Sequence, residues 1–284
     1  MYKGFKLNFE GENIQNFIKN YLEKGNSFFE KIQNNITTKN FRSYLNDKKG
    51  IVNVDEIIKD WFPSLTDYHI FISHSHYDEK LAISLAGYLK EKYGLKSFVD
   101  SKLWGYSNLL LEKIDEELSK TEDKQYYSYK KRNESTSHIH NILAMSLLRM
   151  IDETECFILL DTQESIPLKD VINDKKFTFS SWIYSENIMS EFIRTRIPSR
   201  LRQNNFGEVV EASKKVEFSY ELETKHLIEI SLKDIVNYNN FNEPSDVLDY
   251  LYKIASNKIE KNKKKNKVIN ILKEKSGNRW LLGK

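Results

Sequence analysis

The chain has few of the residues that build disulfides, tight turns and phosphate cradles. Its 284 residues include one cysteine, four prolines and ten glycines. A single cysteine excludes an internal disulfide, so we expect a reducing compartment. Cys156 stands in the apolar run ECFILLD, which is typical of a small buried hydrophobe rather than a nucleophile.

Three common nucleotide-binding and hydrolase signatures are also missing. The sequence contains no GxGxxG, no GxxxxGK[ST] and no GxSxG. Their absence disfavours a dinucleotide-binding Rossmann motif, a P-loop and a serine-hydrolase elbow. With so few glycines, a bound phosphate would have to meet ordinary backbone amides and side chains at the start of a helix.

Neither charge nor hydropathy indicates a nucleic-acid or membrane partner. Lys and Arg number 44 against 41 Asp and Glu, a formal net charge of +3, which is too small to indicate nucleic acid. The one strong basic run, KIEKNKKKN at 258–266, reads as a solvated helix face. No apolar run reaches the roughly 18 residues of a membrane span, and the first residues lack the apolar middle of a signal peptide. We therefore expect a cytoplasmic protein.

The middle of the chain, residues 67–200, alternates short apolar runs with amphipathic stretches. YHIFIS, KSFVD and ECFILLD read as strands buried on both faces, and the stretches between them read as helices. The first of these helices should end at Gly94, and the last, SSWIYSENIMSEFIRTRI, should begin at Ser180 or Ser181 and stop at Pro198. This order predicts an α/β fold with a flavodoxin-like parallel sheet flanked by helices.

Extensions are predicted on both sides of this middle segment. Residues 1–66 are polar and carry two amphipathic helical patterns, so we expect an N-terminal helical extension. Residues 201–284 contain two strand-like runs and one or two closing helices. We expect this α+β extension to complete the middle domain or to pack on it.

Polar residues follow each predicted strand of the middle segment. Ser73 to Asp78 follow the first strand, the loop DSKLWGYSN follows Val99, and another loop follows Leu160. Ligands of parallel α/β sheets bind beyond the carboxyl ends of the strands. The run SHSHYD therefore lies where a ligand would bind, although Asp78 also suits the start of the next helix.

Two pairs of histidines do not amount to a metal site. His74 and His76 lie two residues apart, as do His138 and His140. Two-residue spacing on a helix places side chains on different faces, which weakens the second pair as joint ligands. With no second cysteine and no HExxH, we expect no metal.

Taken in order, FISHSHYDE, GLKSFVDSKLWG, ECFILLD and SSWIYSE resemble the TIR (Toll/interleukin-1 receptor) domain family. The resemblance covers roughly residues 67–200 and is nearest to bacterial stand-alone TIR proteins of anti-phage defence. It implies an enzyme that cleaves the bond between nicotinamide and ribose in NAD+. The products would be nicotinamide with ADP-ribose or with a cyclic ADP-ribose isomer.

The resemblance also implies site residues. The catalytic glutamate of the family corresponds to Glu186, four residues after Trp182, and this spacing places both side chains on one face of a helix. Glu191 lies on a different face. Residues implied in NAD+ binding are Ser73, His74, Ser75, His76, Tyr77, Asp100, Trp104, Tyr106 and Trp182, of which Tyr77, Trp104 and Tyr106 are candidates for base stacking. NAD+ would be the substrate, and no cofactor is expected.

Alternatives remain open at several of these positions. Taken without the resemblance, Glu186 reads as a first-turn glutamate that suits the helix dipole. Lys131, Arg132 and His138 belong to an insertion relative to a minimal TIR domain, at about 120–137, and either bind phosphates or lie in solvent. The chain could also be a non-catalytic TIR adaptor acting by self-association, or a nucleoside-processing enzyme of similar build. The expected partners are NAD+, other copies of the chain and a separate effector that senses the nucleotide product.

Overall fold

The chain divides into two units, residues 1–232 and residues 233–284. The structure is a computed structural model. It describes residues 1–33, 41–46, 51–62, 67–99, 101–121, 125–166, 168–170, 175–201, 220–221, 224, 226–239 and 242–258.

Ten strands and eight α-helices occur in the described residues, together with three short 3₁₀ helices at Phe41–Tyr44, His76–Asp78 and Ser199–Leu201. The strands are β1 (Lys3–Asn8), β2 (Leu45–Asn46), β3 (Ile51–Val52), β4 (Ile70–Ser73), β5 (Ser97–Val99), β6 (Cys156–Leu160), β7 (Leu168–Asp170), β8 (Lys175–Thr178), β9 (Tyr220–Glu221) and β10 (Ile228–Ser231). The helices are α1 (Ile14–Gln33), α2 (Val54–Trp61), α3 (Glu79–Tyr93), α4 (Ser101–Leu118), α5 (Tyr129–Glu153), α6 (Ser181–Phe192), α7 (Leu232–Val236) and α8 (244–258).

The main sheet of the first unit has five parallel strands in the order β10-β1-β6-β4-β5. This confirms the α/β prediction of a parallel sheet flanked by helices, and β4, β5 and β6 are the three strands predicted in the middle segment. Counted from the β5 edge, β5, β4 and β6 take the first three places of the flavodoxin-like 2-1-3-4-5 arrangement, and the fourth place departs from its chain order. The fourth place is occupied by β1, from the beginning of the chain.

Strand β1 lies within the segment predicted as a helical extension, and it pairs with β6 and β10. Phe5 and Leu7 are fully buried. The pattern KGFKLN obscures the strand because Lys3, Lys6 and Asn8 break its apolar character. Residues 1–66 therefore contribute to the same sheet as residues 67–200, in addition to the helices α1 and α2.

One face of the sheet carries a row of three aromatic rings that runs across β5, β4 and β6. Phe71 on β4 lies between Phe98 on β5 and Phe157 on β6, with ring centroids 5.5 and 5.8 Å away. All three rings belong to a buried apolar cluster with residues of α5 and α6. Since side chains alternate along a strand, Ser73 faces the same side as Phe71.

The predicted helix ends are confirmed in part. Gly94 caps α3 in the left-handed conformation with φ of 71°, as its position in the sequence predicts. Ser180 is the residue that caps α6, and its side chain accepts a hydrogen bond from the Ile183 amide at 3.2 Å. Helix α6 ends at Phe192, so the prediction that it runs to Pro198 was too long.

Two small antiparallel sheets and the second unit complete the description. Strands β2 and β3 form one small sheet, and β7, β8 and β9 form the other. In the second unit, the rings of Tyr238 and Tyr250 stack at 4.3 Å, and Lys258 pairs with Asp234 at 3.7 Å. The basic run beyond residue 258 lies outside the described residues. None of the helices in the described part is long and apolar enough to cross a bilayer.

Helices α1 and α3 approach closely at two glycines. A Cβ atom added to Gly87 would stand 2.5 Å from the Gly25 nitrogen and 2.7 Å from the Tyr21 carbonyl oxygen. A Cβ atom on Gly25 would overlap the Ile83 carbonyl. The Tyr21 and Tyr88 rings pack edge to face beside this crossing, with centroids 5.0 Å apart. The two backbones can touch only because neither position has a side chain.

We predict that Gly87→Ala destabilises the protein by about 1–3 kcal/mol, because the added methyl group overpacks a backbone contact. Alanine in place of glycine normally stabilises a helix, so the sign of the change is diagnostic. Urea unfolding followed by circular dichroism measures it. Lys80→Ala, at an exposed position of the same helix, is the control, and a Gly87→Ala variant more stable than wild type would contradict the close crossing.

Candidate functional site

Glu186 lies on the buried face of helix α6, at the carboxyl edge of the main sheet. Its relative exposure is 0%, and the Ser73 hydroxyl, at the end of β4, donates a hydrogen bond of 2.7 Å to Glu186 Oε2. Ile183, Asn187 and Ser190 are buried on the same helix. The face of α6 that packs inward therefore carries three polar side chains, including a carboxylate that is shielded from water.

The strand register brings a second set of polar residues onto this face of the sheet. Ser73 pairs with Leu159, Leu159 with Lys6, and Lys6 with Glu229. Paired residues of neighbouring parallel strands point to the same side, so Ser73 and Lys6 are two strand spacings apart, or about 10 Å. The aromatic row is thus followed by a polar row nearer the carboxyl ends.

Lys6 is a buried cation within that polar row. Its Nζ lies 3.4 Å from Asp161 Oδ2 and 3.8 Å from Glu229 Oε2, and the side chains of Lys6 and Asp161 are both at most 10% exposed. The Asp161 amide donates to the Leu7 carbonyl at 2.8 Å, which extends the pairing of β6 with β1. A charged pair buried in this way holds its partners in place more than it adds net stability.

The segment after β4 divides into a buried part and an exposed part. His74 and Ser75 are buried together with Ser73, whereas His76 and Tyr77 are exposed. The Tyr77 ring is 82% exposed and lies edge-on to the His76 ring, with centroids 6.3 Å apart. Of the five residues predicted here, three therefore line the interior, and two face solvent beyond the strand.

Asp78 precedes the first residue of α3, as predicted, but its side chain makes no capping hydrogen bond. The carboxylate instead accepts hydrogen bonds from Ser75, Thr162 and Ser165. Thr162 and Ser165 belong to the loop after β6. Asp78 therefore connects two of the strand-end loops rather than satisfying amides of its own helix.

The sequence predicts a loop at DSKLWGYSN after β5, but the residues from Ser101 onward belong to helix α4, so this prediction was wrong. Asp100 lies outside the described residues, and Trp104 and Tyr106 lie within α4 at positions whose side chains are not described. Ser101, the first residue of α4, donates to Glu79 Oε1 at 3.0 Å. This contact joins the beginning of α4 to the beginning of α3.

Trp182 and Glu186 share a helix but reach different surroundings. Trp182 packs against the apolar cluster, and its ring meets His140 of α5 edge to face, with centroids 5.9 Å apart. The structure thus places Trp182 against α5, whereas the sequence predicts it beside Glu186 at the strand ends. Its part in nucleotide binding stays a prediction.

A further contact fastens α6 to the segment that leads into β10. The Ser190 hydroxyl donates to the Asn187 carbonyl at 2.7 Å and lies 2.9 Å from His226 Nε2. The donor in the Ser190–His226 contact depends on the histidine tautomer. The contact holds α6 against the residues that precede β10.

The insertion between α4 and α5 is organised around a second buried aspartate. Asp115 accepts hydrogen bonds from Ser119, Ser135 and Arg132, at 2.7–2.9 Å. Arg132 also covers the Tyr127 ring, 5.3 Å from its centroid. Arg132 therefore helps to close the insertion, while Lys131 and His138 are exposed.

An open cleft of about 420 Å³ lies along the first half of α5. Its lining residues all belong to that helix and are Tyr129, Lys130, Asn133, Glu134, Ser137 and His138. Only His138 among them was considered for ligand binding from the sequence. The cleft is lined by none of the residues predicted to bind NAD+.

Sequence reasoning missed Thr162, Ser165, Lys6 and Asp161. The first two lie in the loop after ECFILLD, and the position of this loop at a strand end is a usable signal. Lys6 and Asp161 gave no signal because their contact depends on β1 lying beside β6. Within the described ranges, no group of three or more His, Cys, Asp or Glu residues could hold a metal ion.

Comparison of the chain with protein-family models, with curated proteins and with solved structures gave no match.

Cys156, at the start of β6, is fully buried, and burial raises the pKa of its thiol well above the usual value. The reactive thiolate is therefore scarce at neutral pH. We predict that iodoacetamide at pH 8 labels the native protein at least roughly tenfold more slowly than the urea-unfolded protein, because labelling requires local opening. Mass spectrometry measures the labelled fraction, and equal rates in the two states would contradict the burial of Cys156.

Proposed function

We propose that this chain is a TIR-type NAD+ nucleosidase or cyclase that cleaves the bond between nicotinamide and ribose. The observation that carries the proposal is the position of Glu186, a carboxylate at the carboxyl edge of a parallel sheet with a serine hydroxyl on one oxygen. Ligands of such sheets bind at that edge. The TIR resemblance of the sequence assigns the catalytic role to the same residue.

The proposed reaction needs a carboxylate because positive charge develops on the ribose. The bond from C1′ to the nicotinamide nitrogen breaks, and its electron pair neutralises the pyridinium ring. An oxocarbenium-like centre remains, which Glu186 stabilises electrostatically, as carboxylates do in glycosidases. Water then attacks C1′ and releases a proton to give ADP-ribose, or a nitrogen of the adenine attacks to give a cyclic isomer.

The remaining strand-end residues suit substrate binding in this proposal. Ser73 donates a hydrogen bond to Glu186, His74 and Ser75 follow Ser73 in the chain, and the exposed Tyr77 offers a ring for stacking a base. Glu186 has no exposed surface in this structure. Productive binding therefore requires the chain that covers it to move, as in many enzymes with mobile loops.

In this proposal the protein acts in the cytoplasm as part of bacterial anti-phage defence. Cleavage would deplete NAD+ or produce a nucleotide that a separate effector protein senses. Copies of the chain would associate through their TIR surfaces. No cofactor, metal, nucleic acid or membrane takes part in the proposed reaction.

The burial of Glu186 also favours a second function. A carboxylate that is 0% exposed and hydrogen-bonded to Ser73 can serve to hold α6 against β4, and this role needs no substrate. The chain would then be a non-catalytic TIR adaptor that works by self-association. Light scattering at increasing protein concentration measures that association directly.

We predict that concentrated protein releases nicotinamide from NAD+ and that Glu186→Gln lowers the rate by roughly 100-fold or more, because the stabilising charge is lost. Glutamine keeps the size of the side chain and an oxygen that can accept from Ser73. Liquid chromatography with mass detection measures both products, and the mass of the co-product separates hydrolysis from cyclisation.

Glu191→Gln is the matched control, since Glu191 is exposed on the same helix, and it should retain wild-type activity. Equal activity of Glu186→Gln and wild type would remove Glu186 from the reaction. If wild type at high concentration and in cell lysate, with and without phage infection, releases no nicotinamide, the enzymatic proposal fails. The adaptor function would then lead.

A further inference from the structure

Asp78 gathers hydroxyl groups from two loops onto one carboxylate oxygen. Its Oδ2 accepts hydrogen bonds from Ser75 Oγ at 2.9 Å, Thr162 Oγ1 at 2.5 Å and Ser165 Oγ at 3.1 Å. Asp78 is only 9% exposed, and Ser75 and Ser165 are buried. A carboxylate with three hydroxyl donors in a dry environment is a strong and directional junction.

Backbone amides fix the direction of this network. The Ser75 amide donates to Ser165 Oγ, and the Ser165 amide donates to Thr162 Oγ1, both at 3.0 Å. The hydroxyls of Thr162 and Ser165 thus accept from an amide and donate to Asp78. A carboxylate oxygen accepts hydrogen bonds, and all three hydroxyl groups donate to Asp78 Oδ2. These hydrogen bonds thereby join the loop after β4 to the loop after β6.

The segment that contains Asp78 also makes a hydrogen bond to Glu186. Ser73, which donates to Glu186, is two residues before Ser75, and Glu79, which follows Asp78 directly, accepts from Ser101. A shift of the segment at Asp78 would be transmitted to Ser73 over a few covalent bonds. The placement of the Ser73 hydroxyl against Glu186 therefore depends on the junction at Asp78.

We propose that Asp78 is a positioning residue for the Glu186 site, and that it acts by locking residues 73–78 to residues 162–165. The inference rests on the proposed NAD+ cleavage for its effect on rate. Its physical content, the locking of the two loops, can be measured without the reaction. Asp78 itself need not touch the substrate.

Asp115 provides a matched control for this inference. It is as buried as Asp78 and accepts hydrogen bonds from two serine hydroxyls and Arg132, but it joins α4 to α5 away from the strand ends. If Asp78 mattered only because a buried carboxylate stabilises the fold, Asp115→Asn would lower activity as much as Asp78→Asn. A positioning role predicts that the two variants differ.

The test measures kcat and KM for NAD+ cleavage in Asp78→Asn, Thr162→Val, Thr162→Ser and Asp115→Asn, well below each melting temperature. We expect kcat to fall roughly 10- to 100-fold in Asp78→Asn and Thr162→Val with a smaller change in KM, because misplaced groups mainly slow the chemical step. Thr162→Val keeps the shape but loses the hydroxyl. Thr162→Ser keeps the hydroxyl and should restore most of the lost rate, and Asp115→Asn should stay within about twofold of wild type.

Amide hydrogen exchange measures the locking itself. In Asp78→Asn and Thr162→Val, residues 73–78 and 162–165 should exchange faster, with the Ser75 amide the most affected, while β6 and α3 keep their protection. A folded Asp78→Asn variant with wild-type kcat, equal losses of activity in Asp78→Asn and Asp115→Asn, or unchanged exchange in the two loops would overturn the inference. If wild type does not cleave NAD+, the proposed function fails by itself, and faster exchange would still support the locking while unchanged exchange would refute it.

Discussion

A carboxylate removed from water must be surrounded by hydrogen-bond donors, because an unpaired buried charge is far costlier than a buried apolar group. Two such carboxylates, Glu186 and Asp78, organise the carboxyl edge of the main sheet. Both accept hydrogen bonds from one short segment, residues 73–75, which begins at the last residue of β4. The geometry of the edge thus depends on where β4 ends.

Aromatic residues of the main sheet support this arrangement. Phe71, Phe98 and Phe157 form a buried aromatic row on one face of the sheet. Ser73 lies on the same face, two residues after Phe71 on β4. The packing of that row fixes the position of β4, and with it the position from which Ser73 reaches Glu186 of α6. The Ser180 cap fixes the residue at which α6 begins. An enzymatic site and an assembly module would both use this rigidity, so the fold is compatible with either function.

Local pattern predicts the three middle strands of the main sheet and several helices of the first unit, but not its long-range contacts. The strands at 70–73, 97–99 and 156–160, and the end of α3 at Gly94, follow from apolar runs and from the conformational freedom of glycine. Strand β1 escapes prediction because its buried Lys6 is stabilised by Asp161, a partner far along the chain. The roles of Thr162 and Ser165 escape for the same reason, since they meet Asp78 only after the sheet has formed. Asp78 shows the limit most directly, because its position at a helix start was predictable and its partners were not.

The central position of β1 has a consequence for how the chain can be divided. A fragment that began at residue 67 would contain all of the motifs that resemble a TIR domain, but it would leave β6 with a bare hydrogen-bonding edge and β10 without a neighbour. Bare edges of this kind recruit strands from other molecules and lead to aggregation. The first eight residues are therefore as much a part of the sheet as the strands of residues 67–200, and the five-stranded sheet is complete only when the beginning of the chain pairs with strands far along the sequence.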